Sequence, residues 1–507
     1  MKKSFILLFA AAFASALPRS SDRDKSREIS NLVTGYHECG LFDGVVLVSE
    51  KSRVIYQKAF GIADREWNVP MTVDTKFKIG SVSKVFTALL ILQLVQEGII
   101  SLDGTVADYL PDYTGKRKEG ITIRQLLNHT SGVLNSLRPE EEAVKERLHH
   151  DLRDLIRYAE EGDLASEPGK EFHYSNFGYS ILACIAERVT GRSFGELLEE
   201  RIFNPAGMRD TSQYSGAGIE ERLARGYEYR LLKGYENAAY FDPSYAAGCG
   251  GMISTAADLF EWHRALLDGR LLGNELRETM VVPLKPSHYG YGWEIRGRAR
   301  GGSKDSLTIA EHSGSVNGFG SYIGWIVQDP ILVVVLKNSR SDTYISPAYA
   351  PAIGREILSI LMGEEVRPPR KSIARKIALT LGAGGVESAV AEYYRIKRND
   401  PGHYSLDESE LNSLGIELMF RFRRIDDALR IFETNMIEFP RSYNACDSYA
   451  YALMEKKDYP NSIKYYRKGL EVLAKYPEEN TGESVRRDAG KALESIREME
   501  AKAGIHE

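Results

Sequence analysis

Cysteine is scarce in this chain: four in 507 residues, Cys39, Cys184, Cys249 and Cys446. None stands in a Cys-x-x-Cys pair, which argues against a zinc site or a thioredoxin-like motif, and no obligatory disulfide is expected. Excess charge is missing too. The net value is −5, which gives no general attraction to nucleic acid or to an anionic membrane. Long apolar runs are absent: the longest, Phe5–Phe13, falls short of the roughly 20 residues that a membrane-crossing helix needs. There is no Gly-x-Ser-x-Gly, no His-Glu-x-x-His and no Gly-x-x-x-x-Gly-Lys. That sets aside the nucleophile elbow, the zinc-peptidase helix and the phosphate-binding loop. No cofactor and no metal are called for.

What is present begins with a leader. Lys2 and Lys3 precede the apolar stretch, and Ala14-Ser15-Ala16 supplies a small-x-small cleavage pattern. Residues 1–16 therefore read as a signal peptide, and the protein as exported, periplasmic or secreted, with no membrane span in the mature chain. The remaining length suits two to four domains.

The pattern along the chain is strands, then many helices, then strands, then helices alone. Val45–Val48 and Val54–Tyr56 flank a polar turn, Glu50–Arg53, and read as a hairpin. Ser81 opens a helix running to about Gly98 whose surface is apolar nearly all round, as a buried helix requires. Phe172–Tyr174 reads as a short extended run before the apolar helix Phe177–Val189, and Thr255 and Asp258 have capping-box spacing. Tyr322–Val327 and Ile331–Lys337 are strand candidates, followed by a helix over Ala352–Met362. Strands and helices do not alternate, which disfavours a doubly wound parallel sheet. The expected class is α+β: an antiparallel sheet built by both ends of a domain spanning 28–364, flanked by helices, with a helical subdomain between.

Residues 365–372, with Pro368-Pro369 among basic residues, read as a linker. Beyond it, 373–507 reads as an all-helical region. Two helix–turn–helix units, 411–440 and 445–474, place Ile425, Ala428 and Phe432 each 34 residues before Tyr459, Ser462 and Tyr466. That period resembles tetratricopeptide repeats and points to a protein partner for this region. An irregular helical bundle is the alternative.

Three short segments carry chemistry. Ser81-Val82-Ser83-Lys84 is the one Ser-x-x-Lys in the chain. A chain this long holds about two by chance on average usage, so its setting at the start of a buried helix is what matters. Residues three apart share a helix face, so Lys84 can reach the Ser81 hydroxyl. A serine needs a base to become a nucleophile at neutral pH. A lysine taken out of water and set near another cation can be that base.

Tyr174-Ser175-Asn176 comes next, at a helix start. Tyr174 can move a proton, and Asn176 can bind a substrate carbonyl. Tyr235-Glu236-Asn237 repeats the bare pattern in a polar stretch with no helix behind it. The third segment, His312-Ser313-Gly314-Ser315, immediately precedes the strand pair, where small residues let a substrate lie along a strand edge. The N–H groups of Ser81 and Ser315 are candidates for an oxyanion hole. His129 follows the Ile123–Asn128 helix and reads as a helix cap.

In this order the three motifs resemble the serine β-lactamase and penicillin-binding protein superfamily. The Tyr-x-Asn form looks like class C β-lactamases, D-alanyl-D-alanine carboxypeptidases, D-aminopeptidases and family VIII esterases. Phe42–Val46, Leu127–Gly132 and Tyr289–Trp293 are similar to the same family, and the resemblance covers about 28–364. It implies acyl transfer: Ser81 attacks, Lys84 and Tyr174 move protons, and Asn176, His312, Ser313, Gly314 and Ser315 bind a small-molecule or peptide substrate. True β-lactamases carry lysine where this chain has His312. A histidine is the weaker cation at neutral pH, so ester or peptide substrates are expected ahead of lactams, with substrate choice turning on His312. A non-catalytic sensor of the same fold is the competing expectation. No member of the constellation lies beyond Ser315, so the helical region is expected to be dispensable for chemistry.

Overall fold

The computed structural model describes residues 20–135, 137, 139–299, 306–340, 350–481 and 483–503. The expected signal peptide lies outside them.

A six-stranded antiparallel sheet is assembled from the two ends of the first region. Its strands are β1 (Gly44–Glu50), β2 (Arg53–Phe60), β5 (Glu294–Ala299), β6 (Ser306–Val316), β7 (Phe319–Ile326) and β8 (Ile331–Lys337), in the order β5-β6-β7-β8-β1-β2. The β1–β2 turn has Lys51 and Ser52 at φ 52° and 57°, the pair of positive values that matches the strand twist in a two-residue hairpin. A smaller hairpin, β3 (Tyr227–Arg230) and β4 (Gly234–Asn237), joins through β3 to a parallel two-residue strand, β9 (Ser339–Arg340).

β8 is Ile-Leu-Val-Val-Val-Leu-Lys and buried throughout. It lacks polar alternation because both sheet faces are covered. Val46, Val48, Val333 and Val335 face one apolar cluster, shared with α1 (Ser20–Glu38) and α6 (Ala350–Leu361). Val45, Leu47, Val334 and Leu336 face the larger one. That larger core takes in α2 (Ser83–Gln96), α4 (Asn176–Thr190), α5 (Ala256–Leu267) and the helical subdomain, with its α3 (Leu152–Glu161).

Four local expectations change. Ser81 lies in a 3-10 turn, Gly80–Val82, and the α-helix starts only at Ser83. Phe172–Tyr174 is not a strand. The third motif sits within a strand of its own, β6, rather than ahead of the strands. Thr255 caps α5 by accepting from Asp258 N, but the Asp258 carboxylate turns away to Asp210 N at 2.7 Å and Thr211 Oγ1 at 2.8 Å.

The helical region contains α7 (Ile373–Asn399, broken at Gly385), α8 (Glu408–Ile416), α9 (Ile425–Glu438), α10 (Tyr443–Glu455), α11 (Tyr459–Lys475) and α12 (Glu483–Ala503). Lys371–Ser372, the end of the expected linker, pairs in parallel with Tyr404–Ser405 and so joins this region. Ile425 and Tyr459 each open a helix, Ala428 and Ser462 are fully buried, and Phe432 and Tyr466 are buried. The 34-residue period thus falls on equivalent positions. The region does not stand apart: its apolar core includes Leu231 from the turn between β3 and β4.

Candidate active site

The turn that carries Ser81 is held at Ile79 from two sides. Ile79 N donates to Met252 O at 3.0 Å, and Ser321 Oγ donates to Ile79 O at 2.6 Å. Gly314 of β6 presses so close that a Cβ there would lie 1.9 Å from Ile79 O. Gly80 has φ +51°, and a Cβ on it would lie 2.7 Å from Ser315 N. Only glycine fits both demands. The packing sets the Ser315 N–H beside the residue that precedes Ser81. Ser81 and the exposed Ser315 line one cleft of ≈ 190 Å³.

Lys84 is fully buried beneath this turn. Its Nζ lies 3.2 Å from Ser81 Oγ, 2.8 Å from Asn176 Oδ1 and 2.8 Å from the Cys249 carbonyl. The last two can only accept hydrogen bonds. They use two amine hydrogens and leave the third position, toward Ser81, for a third N–H or for a lone pair. Thr87 Oγ1 donates to Gly248 O at 2.6 Å and so keeps the 248–249 carbonyls against α2.

Asn176 is the first residue of α4. Ser175 caps that helix by accepting from Gly178 N at 3.0 Å, and Asn176 N donates to Asn135 Oδ1 at 2.8 Å. Tyr174, half-buried, meets Lys84 through its ring, with Nζ 4.8 Å from the centroid.

His129 does more than cap. It has φ +60° just after the helix Ile123–Leu127 and accepts from Ser175 N at Nδ1, 3.1 Å away. Its ring lies 4.3 Å from that of Tyr174, 5.0 Å from Tyr179 and 4.6 Å from Tyr289. Burial, with Lys84 and His312 nearby, pushes the His129 imidazolium well down, so the ring is neutral. This aromatic cage fixes Tyr174 and the turn that carries Asn176.

His312 is brought to the same cage but turned inward. It is buried, with Nδ1 donating to Ser313 O at 2.7 Å and Nε2 accepting from the Tyr289 hydroxyl at 2.7 Å. Burial, with Lys84 behind it, pushes the His312 imidazolium down to about 3. Both nitrogens are occupied and the ring is uncharged, so the expectation that His312 itself addresses the substrate gives way to a role in holding Tyr289 and β6. Gly314 acts through its close approach to Ile79 and Ser315 through the cleft, while Ser313 is half-buried and gives its carbonyl to His312.

Tyr235-Glu236-Asn237 lies on β4, in a different sheet from β6, which carries the third motif. Glu142 and Glu146 of the 139–146 stretch line the cleft, as does Arg340. Burial, with Glu146 beside it, pushes the Glu142 carboxyl up. Sequence reasoning passed over these three, along with Tyr179, Tyr289 and the Cys249 carbonyl. Glu142 and Glu146 are one helical turn apart, the signal that could have paired them. Among the described residues no group of three or more His, Cys, Asp or Glu side chains is placed to hold a metal, and no helix is long and apolar enough to cross a membrane.

Comparison with known proteins identifies the family. The Beta-lactamase family pattern matches residues 29–352. Penicillin-binding protein 4* of Bacillus subtilis (strain 168) is 28% identical over 375 residues, covering 70% of this chain and 80% of that protein. Esterase EstB of Burkholderia gladioli is 30% identical over 350 residues, covering 61% and 88%. The octameric penicillin-binding protein homologue from Pyrococcus abyssi superposes with a TM-score of 0.57 at 26% identity, covering 70% and 81%. The chain belongs to the Beta-lactamase family of hydrolases.

Proposed function

We propose that this chain is a serine hydrolase that works through an acyl-serine intermediate on Ser81 and cleaves ester or amide bonds, D-amino-acid amides and peptides included. The carrying observation is the 3.2 Å approach of Lys84 Nζ to Ser81 Oγ, with the other two Nζ partners restricted to accepting. The third Nζ position faces the hydroxyl, the place from which a lysine base takes a serine proton.

The Ser81 proton then passes to Nζ as Oγ bonds to the substrate carbonyl carbon. The carbonyl oxygen takes the negative charge and points to the N–H groups of Ser81 and Ser315. Collapse breaks the bond to the leaving group, which takes the proton by way of Lys84 and Tyr174. The acyl group remains on Ser81. Water attacks by the same route in reverse, frees the acid and restores the serine. Asn176, tied to Lys84, holds its side chain at the cleft for the acyl part of the substrate.

The lining supports esters and amides without a carboxylate near the reacting bond. It holds two carboxylates, Glu142 and Glu146, against one guanidinium, Arg340, and His312 adds no charge. The leader in residues 1–16 supports export, and the helix pairs α8–α9 and α10–α11 support a tetratricopeptide-like surface for a protein partner. Intact-mass spectrometry with a fluorophosphonate or a p-nitrophenyl ester tests the reading. One adduct is expected on the native protein and none on Ser81→Ala. An adduct that survives in Ser81→Ala removes the assignment, and no adduct on either protein returns the chain to a non-catalytic sensor.

A further inference from the structure

The β3–β4 hairpin touches both regions of the molecule. At its tip, Leu231 is 1% exposed and belongs to one apolar cluster with Ile373, Ile377, Leu414 and Leu418 of the helices. Its N–H lies 3.0 and 3.2 Å from the two Glu417 carboxylate oxygens. The Arg375 guanidinium stacks 3.8 Å from the ring of Tyr229.

At the other end, the hairpin base meets the turn between β6 and β7. Gly318 N donates to Glu228 Oε1 at 3.1 Å, and Asn317 Nδ2 donates to Ala239 O at 3.3 Å. Gly318 has φ +78°, and a Cβ on it would lie 2.5 Å from the Gly226 carbonyl carbon, so the two backbones are in direct contact. β3 also pairs in parallel with β9 at Ser339 and Arg340. Asn317 and Arg340 line the cleft that holds Ser81.

A two-stranded hairpin is marginal by itself in water. Here four residues of strand, about 13 Å of chain, are seated at both ends. The position of the base therefore depends on what grips the tip.

We infer that the helical region sets the lip of the catalytic cleft, with Leu231 as the positioning residue that seats the hairpin in the helices. This rests on the hydrolase reading for its kinetic consequences, but the mechanical link stands independently of it. It runs against the expectation that the helices are dispensable. Substrates long enough to reach Asn317 and Arg340 feel the joint, whereas a small ester confined to Ser81 does not. A partner bound to the helices would act on the cleft through the same hairpin.

The test uses the full-length protein carrying Leu231→Ala, with Leu231→Met as the conservative rescue and Glu417→Gln as a second, volume-conserving loosening of the same joint. Amide hydrogen exchange at 316–319 and 339–340 is followed beside steady-state kinetics on p-nitrophenyl acetate and on a long-chain or peptidyl p-nitrophenyl ester. Leu231→Ala should lower protection at the hairpin base by about tenfold. It should raise KM for the long ester by about fivefold, leaving kcat for either ester and KM for the acetate within about twofold. Leu231→Met should restore both readouts. If Leu231→Ala fails to fold, Glu417→Gln carries the same comparison.

Lost protection at 229–233 with 316–319 unchanged overturns the inference, as does an equal loss on both esters. A double variant with Gly318→Ala should show effects that do not add, because both changes break one path; strict additivity counts against it. Absence of a Ser81 adduct in the native protein would overturn the hydrolase reading alone, and the exchange measurement would still decide the link.

Discussion

Lys84→Met keeps the length and most of the volume of the side chain and removes its nitrogen. Lys84 Nζ has three partners in a fully buried setting: Ser81 Oγ, Asn176 Oδ1 and the Cys249 carbonyl. Asn176 lines the cleft and can turn to water, whereas the Cys249 carbonyl loses its Nζ donor, at about 1–3 kcal/mol. Removing a buried amine offsets part of that cost. Net stability should change by less than about 3 kcal/mol, and the variant should fold. The chemical effect is larger. A positioned base contributes about 10²–10⁴ in rate, which is about 2.7–5.4 kcal/mol at 1.36 kcal/mol per decade. Stopped-flow acylation by a p-nitrophenyl ester, with thermal melting as the control for folding, should show that loss. Lys84→Arg keeps the charge but cannot give up its proton in practice. It should lose as much activity and melt lower, because a guanidinium is too large for a sealed slot. Acylation by folded Lys84→Met within tenfold of the native rate would refute the role, and Tyr174 would become the candidate base.

Gly314→Ala should destabilise by about 1–3 kcal/mol or more and cut acylation in parallel. Its Cβ would collide with Ile79 O at 1.9 Å, and a native acylation rate would show that the nucleophile turn does not lean on β6. Glu142→Gln combined with Glu146→Gln should raise kcat/KM for nitrocefin relative to a neutral ester by about fivefold, or 1 kcal/mol; an unchanged ratio would mean the carboxylates do not face the substrate. Burial pushes the His263 imidazolium down to about 3 from 6.5, so between those values the unfolded chain binds a proton that the fold does not, and stability falls as pH falls. The native protein should therefore lose about 2–3 kcal/mol more than His263→Phe between pH 7 and 4.5 by denaturant unfolding, and parallel curves would contradict the sign.

What the sequence disclosed follows the range of each interaction. Ser81 and Lys84 are three residues apart, Tyr174 and Asn176 two, and both pairs stand at helix starts that local apolar spacing reveals. β8 was legible from its β-branched run, and the closing of the sheet by both ends of the domain followed from the order of elements. β5 and β6 were not. Glu294–Ala299 and the Glu311–Ser315 stretch hold almost no β-branched residues, and β6 extends through Gly314 because close approach to Ile79 requires a bare backbone there. The Cys249 carbonyl carries no side-chain signature at all. The cage of His129, Tyr174, Tyr179 and Tyr289 comes from segments up to 160 residues apart, and no local period joins them. His312 was found as a position, but burial and the Tyr289 hydroxyl, neither visible in the motif, decide where its nitrogens point.

The two sets of contacts that define this site meet on one short stretch of chain. Gly314 touches the turn before Ser81 at Ile79, and Gly318, four residues on, touches the hairpin base at Gly226. Between them lie Ser315, with its N–H beside Gly80, and Asn317 at the cleft. Both contacts are backbone against backbone, with no side chain able to adjust. Packed interiors shift between discrete arrangements rather than deforming smoothly, so the Ile79 contact pins Gly314 at the site end while Asn317 and Gly318, in the turn beyond β6, meet the hairpin. Ser315, whose N–H is the proposed oxyanion donor, lies on the site side of that stretch beside Gly80, and Lys84 is tied to Asn176 and Cys249. The proposed chemistry is thus held by Ile79, Asn176 and Cys249, and the lip at Asn317 and Arg340 is the part within reach of the helical region.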